Sequence, residues 1–293
     1  MEDIVLVGIA GFVAAFVDGS LGMGFGPTSS SILLSSGISP VGVSATVNIA
    51  KVVTGVAGGA SHWKFGNVDW RIVRRLALPG CVGALVGTFV LTNVDGDTLR
   101  PLLAALLVLV GLRILVRFRR PIAGTDVAVG DQGHVSGVEL AGAAGGVTNG
   151  LIGAWGPVVT PFLLHRRIAP RVVVGSVNTA EVAVAFVAAG SLLSTSSGVE
   201  PAVVVAMLVG GVIAAPVAAW TVRFVPARML GVMVAGLLLL TNARELATFA
   251  DLGVERWVVY GAVAASVAWA STWPRFHDVD TSQPGAAALV DTV

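Results

Sequence analysis

The chain has 293 residues, 55% hydrophobic and only 12% charged, with a mean hydropathy of +0.87. A soluble domain carries about 25% charged residues, so apolar surface on this scale calls for a lipid bilayer to cover it. A net charge of +1 without a Lys/Arg cluster among aromatics excludes a nucleic-acid surface, and the single Cys81 excludes disulfides, CxxC redox chemistry and thiolate metal sites.

In chain order, apolar runs fall at about 4–18, 28–36, 41–62, 72–92, 99–118, 135–151, 157–165, 171–194, 201–222, 228–248 and 257–273. The first has no basic segment before it and is expected to be a retained element, not a cleaved signal peptide. A crossing takes about 20 residues, so 28–36 and 157–165 are too short to span alone. Each follows a break. The first, "VDGSLGMGFGPTSSS", brings Gly19, Gly22, Gly24, Gly26 and Pro27 into an apolar stretch. Glycine costs about 1 kcal/mol and proline about 3 in a helix interior, so the helix is expected to stop there. The second, "NGLIGAWGP", begins at Asn149. The sizeable polar segment 119–134 divides the chain, and the tail after Trp273 has the composition of a disordered loop.

The halves repeat. An offset of 130 residues matches Gly26, Pro27, Ile38, Pro40, Asn48 and Ala50 to Gly156, Pro157, Ile168, Pro170, Asn178 and Ala180 without a gap. With one residue of slip, "DGSLG" from Asp18 falls on "NGLIG" from Asn149. Chance matches Val and Leu easily in so apolar a chain, but Gly-Pro, a second Pro and an Asn in register indicate an internal duplication.

Loop charges orient the halves by the excess of Lys and Arg on the cytoplasmic side. Lys64, Arg71, Arg74 and Arg75 place the 63–71 connection inside, as do Arg113, Arg117, Arg119 and Arg120 for the end of 99–118. The loops "TNVDGDT" and "STSSGVE" have no Lys or Arg and belong outside, whereas Arg166, Arg167 and Arg171 put the start of 171–194 inside. Its repeat mate, 41–62, then starts outside. The expected fold is therefore an all-α polytopic membrane protein of two inverted repeats, each a re-entrant broken hairpin followed by three transmembrane helices, plus a final C-terminal helix. The divisions are 1–118, a cytoplasmic linker 119–134, 135–248, a last helix 249–273 and a polar tail 274–293.

Irregular backbone at membrane depth is tolerated only inside protein or beside a watery cavity. Two breaks entering from opposite leaflets are how secondary transporters build a midplane site. The arm Ile4–Asp18 makes about 22 Å of helix at 1.5 Å per residue, enough to pass the middle of a core about 30 Å thick. Short helices expected to begin at Thr28 and Val158 would aim free N–H groups and positive dipole ends at the breaks, a seat for an anion.

The duplicated pattern of a glycine-rich break ending in Gly-Pro, a short apolar helix, an Ile-x-Pro turn and a helix with a central Asn resembles the sulfite exporter TauE/SafE family. The motifs are "GMGFGPTSSSILLSSGISPVGVSATVNIAK" and "GLIGAWGPVVTPFLLHRRIAPRVVVGSVNTAE", and the resemblance covers about residues 4–273. It implies a multi-pass plasma-membrane transporter of sulfite, sulfonates or related organic anions. The second break has "AWGP" where the first has "GFGP".

On 41–62, Ser44, Asn48, Lys51 and Gly55 share one helical face with Thr54 beside them, and Glu181 is the register mate of Lys51. Charge within a membrane is expensive and functional by default. Two readings stay open: a structural ion pair between repeats, or a role at the substrate or coupling-ion site. The candidate substrate-binding set is Gly24, Gly26, Pro27, Thr28, Asn48, Lys51, Asn149, Gly153, Trp155, Gly156, Pro157, Asn178 and Glu181.

Gly83, Gly87, Gly142, Gly146 and Gly150, spaced by four, suit close helix approach. Trp63, Trp70, Trp257 and Trp273 suit the interface. His62, His134, His165 and His277 show no metal-ligand spacing, so no catalytic residue, metal or cofactor is expected. The implied partners are the lipid bilayer and a small anion, with a coupling ion as an open addition and no nucleic acid. An anion channel is the alternative, and a membrane-embedded enzyme a weaker one.

Overall fold

The computed structural model describes residues 2–21, 23–117, 136–166, 168–195, 200–221 and 227–272. The expected linker 119–134, Trp273 and the tail 274–293 lie outside them. All described secondary structure is helical: α1 (Glu2–Leu21), α2 (Phe25–Ser35), α3 (Pro40–Lys64), α4 (Trp70–Asn93), α5 (Gly96–Arg117), α6 (Val138–Ile152), α7 (Gly156–His165), α8 (Pro170–Thr195), α9 (Pro201–Thr221), α10 (Ala227–Phe249) and α11 (Arg256–Thr272). Five described segments are long and apolar enough to cross a membrane: Pro40–Lys64, Trp70–Asn93, Gly96–Arg117, Arg171–Ser194 and Gly231–Phe249. Large apolar side chains such as Leu78, Val82 and Phe89 on α4 and Val205, Val209 and Val212 on α9 face outward, as a lipid-covered surface requires.

Local chemistry sets the boundaries. Ser39 caps α3 by accepting the Gly42 N–H at 3.2 Å, with Pro40 in the first turn, where a missing N–H costs nothing. Asp69 caps α4 through the N–H groups of Arg71 and Ile72. The short helices start earlier than their prolines suggest, at Phe25 instead of Thr28 and at Gly156 instead of Val158. The reason is that the first-turn N–H groups of a helix have no partner anyway, so Pro27 and Pro157 fit inside the first turn.

The helices pack in pairs that join the two halves. On α4 and α6, Gly146 meets Gly80 and Gly150 meets Ala84, so the two run parallel; a Cβ on Gly146 would stand 2.0 Å from the Gly80 carbonyl oxygen. The glycine stripes do bring helices close, as their spacing predicts. α1 and α9 also run parallel, with Gly8 beside Ala206 and Ala15 beside Gly211. α3 and α8 run antiparallel, Asn67 lying against Gly175, Gly59 against Thr179 and Gly55 against Val182. α5 packs on α10 through Gly111, Leu238 and Leu239. Exchanging the halves turns the α1/α9 pair into the α6/α4 pair and leaves α3/α8 and α5/α10 as self-pairs.

The breaks are folded corners. Gly24 takes a φ of 128° and Gly153 a φ of 65°, both left-handed values that favour glycine. Beyond the second corner α7 returns to the start of α6, where a Cβ on Gly137 would lie 3.3 Å from the Phe162 ring. Beyond the first, α2 ends at a loop whose Gly37 carbonyl accepts from Arg100 Nη2 at 2.9 Å, near the start of α5.

Candidate functional site

The two corners touch. A Cβ on Gly26 would stand 1.8 Å from the carbonyl oxygen of Gly153, so these backbones meet with no room for a side chain. Gly156 lies against Met23, where an added Cβ would stand 3.3 Å from the Cβ of the methionine.

A helix that stops inside a protein leaves its last carbonyls without helical partners. At the end of α6, side chains of the first half supply them. Ser44 Oγ donates to the Gly150 carbonyl at 2.6 Å and Ser30 Oγ to that of Ile152 at 2.8 Å, while Asn48 Nδ2 adds a second donor, at 3.2 Å, to the Asn149 carbonyl that already accepts the Gly153 N–H. Lys51 Nζ donates to the Gly153 carbonyl. A cation is favoured there, because the helix dipole is negative at its C-terminal end.

Lys51 has three N–H donors, and all are engaged. They go to the Gly153 carbonyl, to Asn149 Oδ1 at 3.2 Å and to Glu181 Oε1. The side chain of Lys51 is 7% exposed and that of Glu181 20%. The repeat mates Lys51 and Glu181 therefore pair directly across the α3/α8 contact. Asn149 in turn is held by Asn48, its Nδ2 donating to Asn48 Oδ1 at 2.7 Å.

Beside this pair lies a cavity of about 120 Å³. Of the residues singled out from sequence, Gly24, Gly26, Pro27, Lys51, Gly153, Gly156, Pro157, Asn178 and Glu181 line it. Four do not. Asn48 and Asn149 sit one layer behind, where each fixes Lys51 or its supports. Thr28 is fully buried, its N–H spent within the helix on the Gly24 carbonyl. Trp155 is fully buried in the core, packed on Gly80 and Gly145, with Nε1 donating to the Val177 carbonyl at 3.2 Å. A Trp beside a break has two faces to choose from, and here the glycines of α4 and α6 leave a ring-sized slot on the side away from the cavity.

Sequence reasoning misses Asp18. It lines the cavity, and its Oδ1 accepts the N–H of Phe25, the first residue of α2, at 3.3 Å. Its match to Asn149 in the shifted register is the signal that could have found it. The chain's own carboxylate thus occupies the helix start where an anion was expected to sit. Thr54, Gly55 and Gly58 complete the α3 wall. Among the described residues no group of three His, Cys, Asp or Glu side chains is placed to hold a metal ion.

Comparison with known proteins gives the same frame. The family model described as sulfite exporter TauE/SafE matches residues 7–244. The chain is 39% identical over 270 residues to the probable membrane transporter protein YtnM of Bacillus subtilis (strain 168), covering 90% of this chain and 87% of that protein. No solved structure matches.

Proposed function

The chain belongs to the sulfite exporter TauE/SafE family of membrane transporters, not enzymes, and from that premise we propose that it moves a small anion, sulfite, a sulfonate or a related sulfur-containing organic anion, across the plasma membrane by alternating access. The observation that carries this reading is the cavity where two broken hairpins meet, lined by Lys51 and by the first turns of α2 and α7. A helix start offers N–H donors and a positive dipole end to an anion, and an ammonium within the membrane supplies opposite charge. The site is small, so the reading favours compact anions over bulky ones.

The division into inverted repeats belongs to the same proposal. Its support is the direction of the paired helices: α3 against α8 is antiparallel, whereas α1 with α9 and α4 with α6 are parallel. If α3 runs inward, α8 runs outward and the first hairpin enters from the opposite side to the second. With Cys81 replaced, single cysteines at Phe65 and Arg166 are expected to react with an impermeant thiol reagent from the cytoplasmic side only, and one at Asp95 from outside only; all three positions are exposed. Reaction at position 166 from outside would make α6–α7 a true crossing and end the inverted arrangement.

Uptake of labelled sulfite, methanesulfonate and acetate into vesicles holding the purified protein tests the transport reading. Saturable uptake of the sulfur oxyanions in preference to acetate is expected. Equal rates with empty vesicles for all three would overturn it, and ion currents far above carrier turnover would mark a channel.

A further inference from the structure

The cavity carries two carboxylates, Asp18 and Glu181, against the single ammonium of Lys51. With all three charged, its formal charge is −1 before any substrate enters. Two of the groups that would attract an anion are already engaged by the chain's own acids: Lys51 by Glu181, and the Phe25 N–H by Asp18. An incoming anion would take the formal charge of this small space to −2, and to reach Lys51 or the Phe25 N–H it would have to displace one of those acids. Resting on the anion reading above, we propose that Asp18 carries the coupling proton, taking it up as the anion replaces its carboxylate at the start of α2.

The charge count makes one proton the natural partner of one monovalent anion, since the loaded cavity then returns to −1. In the loading step a proton from water on the open side adds to a carboxylate oxygen of Asp18, and the Phe25 N–H passes from that carboxylate to the anion. On release the proton returns to water on the other side and Asp18 recovers the N–H. Among the described residues the rival carriers are few. Of the elements packed on α1, α2 and α9 have no ionisable side chain in their described residues, and those described on α10, the exposed Arg244 and the half-buried Glu245, lie toward its far end. The facing charges are Lys51 on α3 and Glu181 on α8. Glu181 is the weaker carrier because its oxygen is already bonded to the Lys51 ammonium.

The second half carries an amide, Asn149, where the first has Asp18. Asp18→Asn is therefore a tolerated residue type in an equivalent corner, and its Oδ1 can still accept the Phe25 N–H. The test uses purified protein and methanesulfonate, whose charge does not titrate near neutrality. Proton uptake on binding, followed with a pH dye, is expected to be about one per anion in the wild type. By linkage, anion affinity should fall about tenfold for each unit the pH rises above the titration of the carboxyl. Asp18→Asn should bind with no proton uptake and a flat pH profile, and in vesicles should lose acceleration by an imposed pH gradient. A wild-type proton count of zero overturns the proposal whether or not the variant folds, as does an unchanged count in Asp18→Asn. Failure of wild-type protein to bind methanesulfonate or sulfite would instead overturn the anion reading beneath it.

Discussion

Gly26→Ala is expected to abolish transport while leaving the protein in the membrane. One methyl group would stand 1.8 Å from the Gly153 oxygen and 2.5 Å from its carbonyl carbon, so neither a rotamer change nor a shifted side chain can relieve the clash. The two corners must separate, and with them the carbonyl that holds Lys51. Displacement of a functional group by about 1 Å costs on the order of 100-fold in rate, and a loss of at least that size is expected in vesicle uptake normalised to protein content. Gly156→Ala should be milder, because the nearest atom to the new methyl, the Met23 Cβ, stands at 3.3 Å, a contact relieved by a shift of a few tenths of an ångström. Gly190→Ala, with nothing within 4 Å, should transport like wild type. Wild-type uptake by Gly26→Ala would show that the corners need not touch.

Lys51→Ala is expected to be the most destabilising single change at the site. It strands the Glu181 carboxylate, and breaking one partner out of a buried pair costs about 3 to 5 kcal/mol. It also leaves the Gly153 carbonyl and Asn149 Oδ1 without their donor, at about 1 to 3 kcal/mol for each group left unsatisfied. The double variant Lys51→Met with Glu181→Leu removes the stranded charge but not those two acceptors. Thermal unfolding should therefore place it between Lys51→Ala and wild type, folded yet inactive. Wild-type flux by the double variant would reduce Lys51 to a structural cap on α6.

The described helices and their order are legible in the sequence because each apolar run is bounded by glycine, proline or charge, and most ends fall within a few residues of those signals. The corners are legible for a stronger reason: glycine and proline cost helix stability wherever they stand, so their recurrence at matching places in an apolar repeat marks a break that the fold uses, and Gly26 and Gly156 both line the cavity. Register marks Lys51 and Glu181 as repeat mates but leaves their pairing open; they pair because residues related by the duplication meet where α3 crosses α8. What register does not supply is depth. Asn48, Asn149 and Thr28 share faces with lining residues, but whether a polar side chain faces a cavity or the wall behind it depends on the local angle of packed helices. Trp155 is governed by the slot left by Gly80 and Gly145 on other helices, a long-range effect that no local pattern encodes. Asp18 escapes notice because a carboxylate looks out of place in a seat for an anion.

Binding of sulfite to the purified protein, compared by calorimetric titration between wild type and Lys51→Met/Glu181→Leu, tests most directly whether this cavity is the substrate site. Saturable heat in the wild type and none in the folded double variant is the predicted result. Equal affinity in both proteins would contradict it and place the anion site elsewhere in the molecule.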